Sequence, residues 1–183
     1  MRLKHTLKRG VAATVIAGIV VSSGLPALAE TYDIANGSIS VRGEGDTRYV
    51  SQGELVDHEE TSDTIITGSS NENTVSISDA DVTLSNVTIN ASSTGEAAVS
   101  TSGDVTIELE GNNTLTSGSG HAGLESNATT ENDQLTITDT DTDNDGTLVA
   151  KGGSMAAGIG GGRDNGTNVT IEGGKSITAS GGN

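Results

Sequence analysis

The sequence contains no cysteine, no tryptophan and no phenylalanine, a single proline, and only two tyrosines, Tyr32 and Tyr49. Without cysteine no disulfide can staple the fold, so hydrogen bonds and packing must carry its stability. Without large aromatic side chains, a compact globular core of this length would be poorly filled. A stack of thin layers needs only Val, Ile and Leu, and composition therefore points to a solenoid. Basic residues are scarce as well, 9 Lys and Arg against 25 Asp and Glu. That balance speaks against nucleic acid as a partner, which requires a basic footprint to release counterions.

Long apolar runs are missing too. The nearest, "VAATVIAGIVV", follows a basic end formed by Arg2, Lys4, Lys8 and Arg9 and precedes "ALA" at 27 to 29. This is the order of a secretory signal peptide with a small-x-small cleavage site, so residues 1–29 read as a signal and the mature chain as starting at Glu30. Ser22, Ser23, Gly24 and Pro26 break the run before the roughly 20 residues a membrane span needs, so none is expected in the mature segment. Removing the signal takes away four of the nine basic residues and leaves a formal charge of −20. An acidic surface of this kind suits an extracellular location and attracts cations.

What is present is repetition. Four segments resemble one another: "DVTLSNVTINASSTGEAAVST" from Asp81, "DVTIELEGNNTLTSGSGHAGLES" from Asp104, "QLTITDTDTDNDGTLVAKGGSMAAGIGGG" from Gln134, and "NVTIEGGKSITASGGN" from Asn168. Their starts lie 23, 30 and 34 residues apart. Each opens on an apolar-Thr-apolar triplet; "VTINAS", "TLTS", "TLVA" or "SITA" follows, and then "AAVS", "AGLE" or "AAGI" in the first three. Alternation over four or five residues, β-branched enrichment and Gly/Asn/Asp punctuation mark three short strands per repeat.

Stacked coils would place Val82, Val105, Leu135 and Val169 in one inward column and Leu84, Ile107, Ile137 and Ile171 in the next, with the Thr between them outward. The expected fold is a right-handed parallel β-helix, in which no repeat buries its apolar face alone. Residues 30–74 read as a less regular N-terminal cap and 75–183 as the repeats. "NATTEND", "DTDTDNDG" and "RDNGTN" are insertions projecting from the coils, tolerated because loop length adds little closure entropy.

The glycine run "GGSMAAGIGGG", residues 152 to 162, invites a phosphate-loop reading, but the dinucleotide pattern would need glycine at 163, which is Arg. "GGKS" at 173 to 176 ends like a Walker loop, yet its first glycine would fall on Val169. Corner glycines beside Ile159 on a third strand account for the run better.

"YDIANGSISV", "TGEAAVSTSGDVTIELEGNNTLTSGSGHAGLES", "MAAGIGGG" and "NVTIEGGKSITASGG" together resemble the β-helical repeat proteins of Gram-positive gut and soil bacteria, adhesin-like proteins often labelled carbohydrate-binding. The resemblance covers about residues 31 to 183 and implies a right-handed parallel β-helix at or beyond the cell surface. It implies extracellular glycans or host and bacterial surface molecules as partners, and no catalytic residues. The last repeat stops at Asn183 after its second strand, so the chain reads as a fragment whose further repeats and wall anchor lie beyond it.

Candidate sites are few. "DTDNDG", Asp141 to Gly146, has the D-x-D-x-D-G opening of a calcium loop, with Asp141, Asp143 and Asp145 as ligands. Position 12 would be Gly152 instead of the bidentate Glu, so an ordinary Asp-rich turn competes with calcium, and no other cofactor is indicated. "DHEE", Asp57 to Glu60, sets one His among carboxylates, short of a zinc ligand set, and reads as a solvated cap loop. His121 is expected at a coil corner in a structural hydrogen bond.

β-Helices also host polysaccharide lyases and hydrolases, which need paired carboxylates on one outer face. On the first strand only Glu108 and Glu172 face outward, two coils apart with a threonine between. The leading expectation is a non-enzymatic secreted or wall-displayed repeat protein, adhesive or a stalk, with weak multivalent glycan binding. The rival is a β-helical polysaccharide lyase or glycoside hydrolase whose catalytic coils lie beyond residue 183.

Overall fold

The computed structural model describes residues 29–131, 133–163 and 167–183; the expected signal segment, apart from Ala29, lies outside the described residues. Over these residues the chain is nearly all β. Strands β1 (Glu30–Asp33) and β2 (Ile39–Glu44) flank a short 3-10 turn, Ile34–Asn36. Then come β3 (Thr47–Gln52), β4 (Leu55–Glu60), β5 (Thr64–Ser70), β6 (Val75–Ser78) and β7 (Asp81–Asn90). The repeats continue as β8 (Val99–Ser102), β9 (Val105–Glu110), β10 (Asn112–Thr116), β11 (Leu124–Ser126), β12 (Leu135–Thr138), β13 (Thr147–Lys151), β14 (Ile159–Gly160), β15 (Val169–Ile171) and β16 (Ser176–Ser180). No helix among the described residues is long and apolar enough to cross a membrane.

The strands form two sheets, one of nine in the order β15-β12-β9-β7-β10-β13-β16, with β5 on β7 and β1 on β5, and one of seven in the order β14-β11-β8-β6-β2-β3-β4. All pairings are parallel except β2 with β3 and β3 with β4. That antiparallel pair covers the free edge of β2, where unpaired backbone would otherwise be exposed.

The nine-stranded sheet curls at β7. Asp81 to Ser85 pair with β9, while Thr88 to Asn90 pair with β10. Between the halves, Asn86 takes a left-handed φ of 55°, and Gly111, at 62°, turns the next layer at the same corner. A β-carbon at Gly111 would lie 2.4 Å from Asn86 Oδ1, so only glycine lets the two corners lie against each other.

Side chains alternate as the pattern predicts. Val82, Leu84, Val87 and Ile89 on β7 are buried, as are Val105, Ile107 and Leu109 on β9 and Leu135 and Ile137 on β12. The third apolar pieces pair as the sequence suggests, Val99 with Leu124 and Leu124 with Ile159. The first strands differ in one respect. Val105, Leu135 and Val169 are level, and so are Ile107, Ile137 and Ile171, but Val82 pairs with Ile107 and Leu84 with Leu109. β7 is thus displaced by two residues from the alignment its triplet implies. The physical reason is the corner: Asn86 and Gly111 must stack, and β9 carries a longer run before its turn than the first half of β7 does. A shift of two preserves the inward face.

Among the buried polar residues, one links successive layers. Asn113 is 1% exposed, accepts from the Val87 N–H at 2.9 Å and donates to the carbonyls of Glu110 and Thr147 at 3.2 Å. It thereby ties three consecutive layers together through satisfied hydrogen bonds.

Candidate functional site

A polar groove of about 310 Å³ lies on the flank where β5, β7 and β9 run side by side. Each layer contributes a carboxylate and a hydroxyl: Asp63 with Thr64, Asp81 with Thr83, Thr106 with Glu108, and Thr140 with Asp141. Register produces this pattern. Asp81 is level with Thr106 and Thr83 with Glu108, so acid and hydroxyl form a checkerboard across two strands. The two-residue displacement of β7 is what sets Asp81 beside β9's outward face. Sequence alignment of the triplets singled out Glu108 but passed over Asp81 for that reason.

Hydrogen bonds orient these acids. Asp81 Oδ1 accepts from the Thr106 N–H at 3.2 Å, and Glu108 Oε1 accepts from the Thr140 N–H at 2.5 Å. The Thr140 hydroxyl lies 3.2 Å from both Glu108 oxygens. Asp63 pairs with Arg48 at 3.5 Å, while no ion pair among the described residues engages Asp81, Glu108 or Asp141. Thr64 is 1% exposed and its Oγ1 has no hydrogen-bond partner. Glu172 follows β15 farther along the same flank, its N–H bonded to the Ile137 carbonyl, and does not line the groove.

Asp141, Asp143 and Asp145 do converge: one carboxylate oxygen from each lies within 4.8 Å of the others, and all three residues are exposed. Their oxygens also serve the turn itself. Asp141 Oδ1 accepts from the Asn144 N–H and Asp145 Oδ1 from the Gly111 N–H, both at 2.9 Å. A hydrogen bond from Asp143 holds the Asp141 carboxyl below the usual range, and the same contact raises Asp143. Burial raises neighbouring Asp139, with the Asp141 charge adding to it, even though Asp139 Oδ2 accepts from the Gly146 N–H. An all-carboxylate oxygen set is the chemistry of a hard divalent cation.

"DHEE" differs from expectation. It is strand β4 and its end, not a loop, because β4 pairs with β3, and Glu60 is only 4% exposed. β1 brings Glu30 alongside, so donor atoms of Glu30, His58 and Glu60 lie within 4.8 Å of one another. The Tyr32 hydroxyl reaches both carboxylates, at 3.0 Å to Glu30 and 3.1 Å to Glu60. Burial and then these two acids raise the Tyr32 phenol far above its ordinary value. Sequence reading missed Glu30 and Tyr32 because they meet His58 only through the pairing of β1 with β5. His121 sits at the turn before β11 with Nδ1 3.1 Å from Oε2 of Glu125, which is 4% exposed.

A second depression, about 470 Å³, is bordered by Thr129, Thr130 and Asn168. Asp133 organises it by accepting from the Thr129 and Thr130 N–H groups and both hydroxyls. These bonds, the Thr130 hydroxyl first, lower its pKa from 3.8 to about 2. A lowered folded-state pKa gives stabilisation that is present above the unfolded value and lost as pH falls through the folded one. Protection of the Thr129 and Thr130 amides, taken relative to their intrinsic exchange rates, is therefore expected to fall between about pH 4 and about pH 2. Asp133→Asn should bring faster exchange already at neutral pH, and unchanged protection in that variant would refute the assignment.

No protein-family model matches the chain, and neither a curated protein nor a solved structure matches it.

Proposed function

We propose that the chain forms a right-handed parallel β-helix and acts as a non-enzymatic repeat scaffold, secreted or displayed on the cell surface, adhesin-like and weakly glycan-binding. The observation that carries this reading is the groove. Carboxylate and hydroxyl groups recur in register across β7 and β9 on an outer flank, over an interior made mostly of aliphatic side chains. Such a flank offers many equivalent hydrogen-bonding rungs and no aromatic platform, which means low affinity per site and gain through multivalency. The partners are extracellular glycans.

A glycan-active enzyme is the second reading, since Asp81 and Glu108 share one groove, as an acid/base pair would. One assay separates the two. The purified chain, free or coupled densely to beads, is incubated with a panel of bacterial and plant polysaccharides. Weak retention by the free chain, strengthened about tenfold or more on beads, with no release of reducing ends, is the expected result. Release of reducing ends that disappears in Glu108→Gln would replace the scaffold reading with the enzymatic one.

A further inference from the structure

We propose that Glu30, His58 and Glu60 bind a divalent transition-metal ion of the zinc class, which clasps the two sheets together at the N-terminal end of the stack. This goes beyond the glycan-binding reading and does not depend on it.

Strand pairing gathers the ligands. β1 pairs only with β5 and β4 only with β3, so each is the last strand of its sheet at the capped end. Glu30 comes from the nine-stranded sheet, His58 and Glu60 from the seven-stranded one. On β4, His58 and Glu60 stand opposite Val50 and Arg48, so both leave the strand on the side where Val50 is buried. One donor atom from each of the three ligands lies within 4.8 Å of the others. His58 Nε2 is 3.6 Å from Glu30 Oε2, long for a hydrogen bond but near the edge of about 3.4 Å that two ligands span around a tetrahedral zinc with bonds of about 2.1 Å.

Two carboxylates meet here with no basic partner. The Tyr32 hydroxyl reaches Oε2 of both Glu30 and Glu60. Glu60 is buried, and its other oxygen accepts from the Ser62 hydroxyl and N–H. No Lys or Arg among the described residues pairs with either carboxylate. Arg48, level with Glu60, gives its guanidinium to the Ser62 carbonyl and to Asp63 instead. A buried carboxylate beside a second one is costly without a counter-charge, which a divalent cation supplies. Tyr32 and Ser62 then serve as the outer hydrogen bonds that fix the ligand oxygens.

An independent observation points the same way. Thr64 is level with Glu30 on the neighbouring parallel strand, so both side chains leave the sheet on one side, the side on which Tyr32 and Ile66 are buried. The Thr64 hydroxyl is itself buried and has no hydrogen-bond partner. A water completing the ion's shell beside Glu30 gives it one. The donor set also selects the ion: an imidazole nitrogen with two carboxylates suits zinc-like cations, whereas calcium takes about six to eight oxygens.

The test is a zinc titration of the full chain after treatment with a chelator, followed by NMR of the histidine rings and by thermal unfolding. Zinc is expected to shift the ring resonances of His58 and to leave those of His121 in place. At a hundredfold excess over its dissociation constant it should raise the unfolding midpoint by about 5 °C or more. Calcium at the same concentration should leave His58 unmoved. Glu30→Gln and His58→Gln change exposed or half-exposed ligands, and each should weaken zinc binding by about tenfold or more, judged against its own metal-free midpoint. Asp143→Asn, in the separate acidic turn, should keep the full His58 response. Silent His58 rings, zinc affinity unchanged in both ligand variants, or a midpoint rise that disappears in Asp143→Asn would each overturn the proposal.

Discussion

Ile137→Ala is expected to lower the unfolding free energy by about 2–5 kcal/mol, while the same change at Ile171 should cost less than about 1 kcal/mol. Both side chains belong to one column, since Ile107 pairs with Ile137 and Ile137 with Ile171. Ile137 is 0% exposed, held between layers on both sides, whereas Ile171 is 53% exposed. Truncating the first removes buried methyl and methylene groups and leaves a cavity between layers that cannot close without pulling backbone ladders out of register. Truncating the second removes atoms that already meet solvent. Urea unfolding followed by circular dichroism measures both. Equal losses at the two positions would mean that the column is not packed as described.

Gly153→Ala is expected to cost about 1–3 kcal/mol, a large effect for one methyl group. Its β-carbon would stand 1.8 Å from the Gly118 carbonyl oxygen in the layer before, and a β-carbon at Gly182 would stand 2.1 Å from the Gly153 carbonyl oxygen in the layer after. Gly153 is not in the left-handed region, so the penalty isolates the close approach of layers from backbone strain. The neighbouring exposed Ser119→Ala should change stability by no more than about 0.5 kcal/mol. At roughly 2–4 °C per kcal/mol, the glycine variant would unfold several degrees lower by thermal melt. A melting point equal to that of the parent chain would show that the layers have room between them. The same geometry explains the glycine-rich run from 152 to 162: a methyl group on Gly152, Gly153 or Gly158 would meet neighbouring backbone atoms at 2.0, 1.8 and 2.3 Å respectively.

Much of the architecture was legible because it rests on local alternation. The pieces "AAVS", "AGLE" and "AAGI" pointed to Val99, Leu124 and Ile159 as equivalents, and their strands pair in that register. The triplets identified the buried residues of β7, β9 and β12, but on β15, at the end of the stack, Ile171 is 53% exposed instead of inward because no described layer lies beyond it. What similarity could not supply was the offset of β7, because a displacement by two leaves every inward residue inward and the hydrophobic pattern is blind to it. The corner of Asn86 against Gly111 settles that offset by close packing across layers.

The acid trio of Asp141, Asp143 and Asp145 was visible as adjacent letters and converges within one turn. Glu30 with His58 and Glu60 was not, since 28 residues separate Glu30 from His58 and only strand pairing closes the distance.

By itself the sequence determined that this is an acidic, cysteine-free chain of thin β layers with aliphatic interiors, because composition and period-two alternation act over a few residues at a time. Only the tertiary structure decided which outward groups meet: Asp81 with Thr106, Thr83 with Glu108, Glu30 with His58 and Glu60. The physical reason is that parallel strands pair residues 18 or more positions apart, and the register between them is set by how corners and glycines pack, not by the pattern within any one strand.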